Sequence, residues 1–240
     1  MAIPPVTYTA VQANPLGGGL YDAASVVDAA DGRHLSGIML EPVNDGISGL
    51  WEYAGEDNPD KVGERLDWPS FPGTVVWAAD SVKTVGASIE GARERAEHIL
   101  RLREPIEVEQ FVAGQLLQAE ANAVASVKEQ LAHLELELGK RGYPGVVHAS
   151  RELLPALKDF IVRQGQAMFT PGGHRWAFGG GYEALGTTLV GTGAVTVVRA
   201  PITQAEAVDT RLNDFHAIAE RVVAVGWEGE ALAVSLTGSE

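Results

Sequence analysis

The chain has 240 residues, 45% hydrophobic and 21% charged, with a mean hydropathy near zero. That is ample to bury a core and excludes wholesale disorder and a bundle of membrane spans. No cysteine is present, which removes disulfides, thiol nucleophiles and Cys-ligated zinc, and a net charge of -14 with a pI near 4.8 excludes a DNA binder that grips phosphates through clustered Lys and Arg.

The first twenty residues, with Pro4, Pro5, Pro15 and the run Gly17 to Gly19, hold no sustained period and are expected as an extended arm. They show no basic stretch followed by an apolar one, so no export signal is expected and an intracellular origin is. Short apolar runs broken by Pro42, Asn44 and Gly46 follow, then a polar tract from Gly55 to Gly73 that is too long and too charged for a tight turn. "TVVWAADSVKTVGAS" reads as a strand. From Ser88, a good N-cap, Ala92, Ala96, Ile99 and Leu100 keep helical spacing. The pattern resumes at Ile106, Phe111, Leu116 and Leu117 after an interruption expected at Pro105, around which Glu104, Glu107 and Glu109 suit a new helix start.

Val127, Leu131, Leu134 and Leu138 form the clearest helical stripe, closed by Gly139 or Gly142. "VVHAS" predicts a short buried strand and "RELLPALKDFIVRQG" a helix starting near Ser150. "LVGTGAVTVVRAPI" is a strand or strand pair. The chain closes with a polar stretch and two alternating strands joined at Glu228 and Gly229. The class is α+β, without regular βαβ alternation or internal repeats.

The glycine-rich stretch "FGGGYEALGTTLVGTG", Phe178 to Gly193, raises the question of a phosphate cradle. Gly186 and Gly191 have Walker A spacing, but Thr192 stands where lysine is needed and a strand follows; Gly181 and Gly186 repeat the near miss with Thr187. Gly179, Gly181 and Ala184 miss the dinucleotide fingerprint, so a turn is favoured. The six histidines offer no i, i+4 pair; His148 reads as a satisfied core or interface residue and His174 as exposed. No Gly-x-Ser-x-Gly elbow occurs, Ile47-Ser48-Gly49 coming nearest, and no catalytic, cofactor or metal residue is assigned.

The order of parts, with "GYPGVVHASRELLPAL", "GGGYEALGTTLVGTGAVTV" and "NDFHAIAERVVAVGWEGEALAVSL", resembles major capsid proteins of tailed bacteriophages, of the Hong Kong 97 type shared with encapsulin shells, from about Ala30 onward. The resemblance implies an N-terminal arm over 1–35 and strands with an extended E-loop (about 51–77) over 36–87. A long spine helix and peripheral domain would occupy 88–123. An axial domain would fill 124–240, its last strands returning to the peripheral domain. It implies a virion protein assembled in the host cytoplasm, whose partners are copies of itself in pentamers and hexamers, with scaffolding, portal or decoration proteins beside them, around DNA that is not bound sequence-specifically. No enzyme activity, cofactor or membrane partner is implied. Trp51, Trp68 and Phe71, in or beside the polar loop, are expected as subunit-interface anchors, and Phe178 and Tyr182 as anchors where the glycine-rich segment meets a neighbour; the alternative for the loop aromatics is packing onto their own domain. Other readings left open are an encapsulin-like compartment, a tube or connector protein, and an enzyme using the glycine-rich segment on a phosphorylated ligand.

Overall fold

A computed structural model describes residues 8–51, 61–63, 66–85 and 88–237. The polar tract expected over Gly55 to Gly73 and the start of the arm therefore lie partly outside the described residues. The elements in chain order begin with α1 (Leu20–Ala23), β1 (Ser25–Asp28), β2 (Ile38–Met39), β3 (Ser70–Phe71), β4 (Gly73–Lys83), α2 (Ile89–Leu116), β5 (Ala121–Val124) and α3 (Val127–Gly139). They continue with β6 (Val146–Ser150), α4 (Leu154–Leu157), β7 (Val162–Gln164), β8 (Ala167–Phe169) and β9 (Arg175–Gly179). The last are β10 (Leu189–Thr192), β11 (Val195–Arg199), β12 (Thr203–Asp209), β13 (Asp214–Trp227) and β14 (Leu232–Leu236). Among the described residues no helix is long and apolar enough to cross a membrane.

Two sheets share one long helix. In the first, β13 runs through the centre with β4 along one flank, while β11 and then β12 line the other, and β1 pairs in parallel with β11. Alternation sets the buried face: Val76 and Ala78 of β4 and Phe215, Ala217, Ala219, Val223 and Val225 of β13 meet Ala92, Ala96, Leu100 and Val108 of α2. The opposite face leaves Trp77 exposed. The second sheet runs β5-β14-β10-β6-β9-β8-β7. Leu131, Leu134 and Leu138 of α3 cover one side of it, against Val147, Ala149, Phe178, Leu189 and Val234. Its other side joins the core under α2 through Val146, Ala177, Val190 and Ala233, so β6 is buried on both faces.

Ser88 caps α2 by accepting from the Gly91 N–H at 3.0 Å. The helix then continues through Pro105 for 28 residues, roughly 42 Å at 1.5 Å per residue, where the sequence predicts a break. A proline inside a helix forfeits one backbone bond and crowds the preceding turn, at a cost of about 3 kcal/mol. Burial of Leu100 and Glu104 before it and Val108, Glu109 and Val112 after it holds both halves on one axis.

Four further expectations are corrected. "RELLPALKDFIVRQG" is not one helix: two 3-10 turns flank the single turn of α4, and the chain is extended again by Val162. The strands on either side of Glu228 and Gly229 form no hairpin, because β13 stays in the first sheet while β14 enters the second. The polar stretch before them contains β12, which makes a hairpin with β13 around Asn213 at φ 58. His174 is buried, its Nδ1 accepting from the Gly145 N–H at 3.0 Å, since the turn through Gly173, at φ 97, tucks it beneath α3.

Candidate subunit interface

The glycine-rich segment does hold an anion, and the anion belongs to the chain. Glu109 of α2 is buried, and its carboxylate accepts from the Gly181 N–H at 3.0 Å and from the Leu20 N–H, at the start of α1, at 2.9 Å. Burial raises its carboxyl above the ordinary range, opposed by the bonds from Gly181 and Leu20 and by the nearby Arg151 guanidinium. The glycines follow from this approach: a Cβ on Gly181 would lie 2.0 Å from the Ile106 carbonyl oxygen, and one on Gly19 2.2 Å from the Glu109 carboxylate. The arm is thereby pinned to its own helix, with Arg101 holding the Ala13 carbonyl at 3.0 Å and Phe178 N–H donating to the Gly18 carbonyl at 2.8 Å. Exposed Tyr8 and Val11 lie beyond that tether.

One turn earlier on α2, Glu104 accepts from the Tyr21 hydroxyl at 2.8 Å and pairs with Arg221 at 3.4 Å. Burial, and then the Glu104 charge, push the Tyr21 hydroxyl far up. A groove of about 940 Å³ runs past this cluster, lined by Gln12, Pro15, His98, Arg101 and Arg199 among others. Deeper in, Tyr182, His148 and Thr192 form a closed network at 2.9 and 3.0 Å. Burial lowers the His148 imidazole to about 3, so it is neutral. None of these clusters joins a nucleophile, a base and an open cavity, and no group of acidic, histidine or cysteine residues able to hold a metal occurs among the described residues.

The five anchors named from sequence separate cleanly. Phe178 and Tyr182 are fully buried, Phe178 stacked on Trp176 with centroids 4.9 Å apart and Tyr182 bonded to His148. Phe71 is buried against Trp227 at 4.7 Å. These three pack within their own chain, so their side chains are not surface anchors; the glycines that bring the segment against α2 draw Phe178 and Tyr182 inward. Trp51 and Trp68 remain 51% and 41% exposed, Trp51 with the Lys61 ammonium 4.0 Å above its ring. They belong to a ribbon of exposed large apolar side chains on the same excursion, with Met39, Val43, Ile47, Leu50 and Val62. Sequence reasoning singled out the two tryptophans and not the aliphatic members, which lie in a stretch without regular period.

No protein-family model matches the sequence, and no curated protein does. Solved structures do match, over nearly the whole chain. The capsid of a native GTA particle superimposes with a TM-score of 0.61 at 12% identity, covering 98% of this chain and 95% of that one. The fold is the Hong Kong 97 type. Mycobacterium phage Bobi matches with a TM-score of 0.55 at 13% identity over 99% of this chain and 96% of that one. The holo-SrpI encapsulin complex from Synechococcus elongatus matches with 0.55 at 11%, over 96% and 92%. Within this Hong Kong 97 fold, α2 carries both carboxylate clusters, and the exposed apolar residues from Met39 to Trp51, with Val62 and Trp68, lie on the excursion from β2 to β3.

Proposed function

We propose that this chain is a structural shell subunit, the major capsid protein of a tailed phage, which assembles with copies of itself into a closed icosahedral head around double-stranded DNA and has no active site. The observation that carries the reading is the two-way coverage: the capsid chain of the GTA particle accounts for 98% of this chain, and this chain for 95% of it. On this reading the arm, the excursion ending at β3, the helix α2 and the second sheet serve as the N-arm, E-loop, spine helix and axial domain. Trp51 and Trp68 anchor the contact with a neighbouring copy, where burial of an aromatic ribbon too apolar for a lone surface is favoured. The acidic surface suits a wall that must not adhere to packaged DNA.

An encapsulin-like compartment is the second reading, favoured by an encapsulin match whose TM-score equals that of the phage capsid. Electron microscopy of the chain produced alone tests both: closed particles of uniform diameter are expected, and a monomer persisting across salt, pH and concentration would overturn the shell function. Particles from the native source then separate the readings, nuclease-protected DNA marking the phage head and an enclosed protein marking the compartment.

A further inference from the structure

The apolar ribbon leaves the body as two limbs that are zipped only briefly. Ile38 and Met39 pair with Phe71 and Ser70, and the Leu40 N–H donates to the Pro69 carbonyl at 3.0 Å. Beyond that point one limb is caught by a side chain 185 residues away in sequence. The Glu228 carboxylate accepts from the Val43 N–H at 3.2 Å, the Asn44 N–H at 3.2 Å and the Asn44 side-chain amide at 3.1 Å. Next along the limb, Asp45 accepts from the Tyr143 hydroxyl at 2.9 Å, and burial with that neighbouring carboxylate pushes the phenol up to about 12.

Glu228 sits where β13 of the first sheet hands over to β14 of the second, and its backbone is already occupied. Its N–H donates to the Ala194 carbonyl at 3.1 Å, while its carbonyl accepts from Gly193 at 3.1 Å and from Arg141 at 3.3 Å. The connection between the sheets therefore has no need of the side chain. That side chain is nonetheless buried, and among the described residues its hydrogen bonds go to residues 43 and 44. The two oxygens of a carboxyl group can together accept from three donors, whereas a glutamine of the same length has one accepting oxygen. Past the clasp the apolar side chains face outward, Ile47 67% and Leu50 99% exposed.

We infer that Glu228 is the positioning residue of this limb, fixing the direction in which the apolar ribbon leaves the body and so the angle at which it reaches a second copy of the chain. The inference rests on the shell reading for its second half only. A lever held at a rigid root transmits the root's angle to its tip, so loss of the clasp spreads the angles at which copies meet.

Hydrogen exchange on the unassembled subunit and electron microscopy of the assembled particles test it with Glu228→Ala. The Val43 and Asn44 amides are expected to exchange about tenfold faster or more while those of α2 and β4 are unchanged, and particle diameters are expected to broaden. Glu228→Asp, which keeps the charge on a shorter stem, should recover part of the protection. If Glu228→Ala does not fold, Glu228→Gln, which keeps the length but only one accepting oxygen, should still speed exchange at Val43 or Asn44 while α2 and β4 are unchanged. Unchanged exchange at 43 and 44, or acceleration spread evenly over α2 and β4, overturns the positioning role. Faster exchange with an unaltered diameter overturns its effect on assembly. Wild-type protein that forms no particles refutes the shell function, and the exchange result then decides the positioning role alone.

Discussion

Acidification should reveal the cost of protonating the fully buried imidazole of His148. His148 is fully buried on β6, between the Tyr182 hydroxyl at 2.9 Å and the Thr192 hydroxyl at 3.0 Å, and Thr192 in turn donates to the Gly193 carbonyl. That chain of donors assigns the tautomer: Thr192 must accept from Nε2–H, so Nδ1 accepts from Tyr182. A second ring proton would face the tyrosine oxygen and strand the tyrosine's own hydrogen. Burial lowers the group from 6.5 to about 3. A depressed histidine contributes stability that is present above 6.5 and is lost as pH falls from there toward about 3. At about pH 4.5, some two units below the unfolded value, the loss is roughly 3 kcal/mol. Glu109, whose carboxyl is raised, works in the opposite direction, favouring the fold at acid pH and losing that contribution as pH rises through its raised value. His148→Asn keeps an acceptor near the Nδ1 position and cannot titrate, so comparison with wild type cancels Glu109 and every other carboxyl. Urea unfolding of unassembled subunits, followed by tryptophan fluorescence, should find the variant about 1–2 kcal/mol less stable at about pH 7, where only the Thr192 bond is lost. It should find the variant equal or more stable at about pH 4.5. A difference between the two proteins that stays constant, within about 0.5 kcal/mol, across that range would refute the buried neutral imidazole.

The remaining predictions concern the glycines and the exposed ribbon. Gly181→Ala should prevent folding or lower the melting temperature sharply, because its Cβ would meet backbone 2.0 Å away, whereas Gly114→Ala, in α2 with nothing within 4 Å, should add about 0.5–1 kcal/mol; thermal unfolding reads both, and equal effects would sink the close-approach account. Trp51→Ser with Trp68→Ser should leave the subunit's melting temperature within about 1–2 °C while sharply lowering the assembled fraction in sedimentation, since both side chains are half exposed before assembly. A large drop in subunit stability would instead place the tryptophans in the chain's own core.

What the sequence revealed and what it hid divide along one physical line. The period of a single element is local: the Ser88 cap, the Val127–Leu138 stripe and the buried run of β6 all stand where periodicity puts them. What a neighbouring element does to that period is not local. Pro105 reads as a breaker until the sheet beneath α2 is present to hold both halves. The alternation of β13 and β14 is identical whether they form a hairpin or part into two sheets, and β12 escapes notice because nearly all of it is exposed. The site behaves the same way. Trp51 and Trp68 stand out as aromatics in polar surroundings, but the contacts that place the ribbon and the arm join residues 185 and 89 apart and leave no mark on either stretch alone.

The two carboxylates that make those contacts perform one kind of task. Each reaches from a rigid element, Glu109 from the long helix and Glu228 from the junction of the two sheets, to backbone N–H groups of a segment distant in sequence. The arm is also packed, since Leu20 and Ala23 are buried, whereas Val43 of the other segment is exposed. A buried carboxylate accepts from several backbone amides at once with fixed geometry. The glycine-rich segment is the other half of that solution: with no side chains at Gly19, Gly179 and Gly181, the backbone comes close enough for Glu109 to hold arm and turn together. The sequence signature of a phosphate loop and that of an internal clasp coincide because both present amides to an anion, and here the missing lysine is consistent with an anion that carries its own tether.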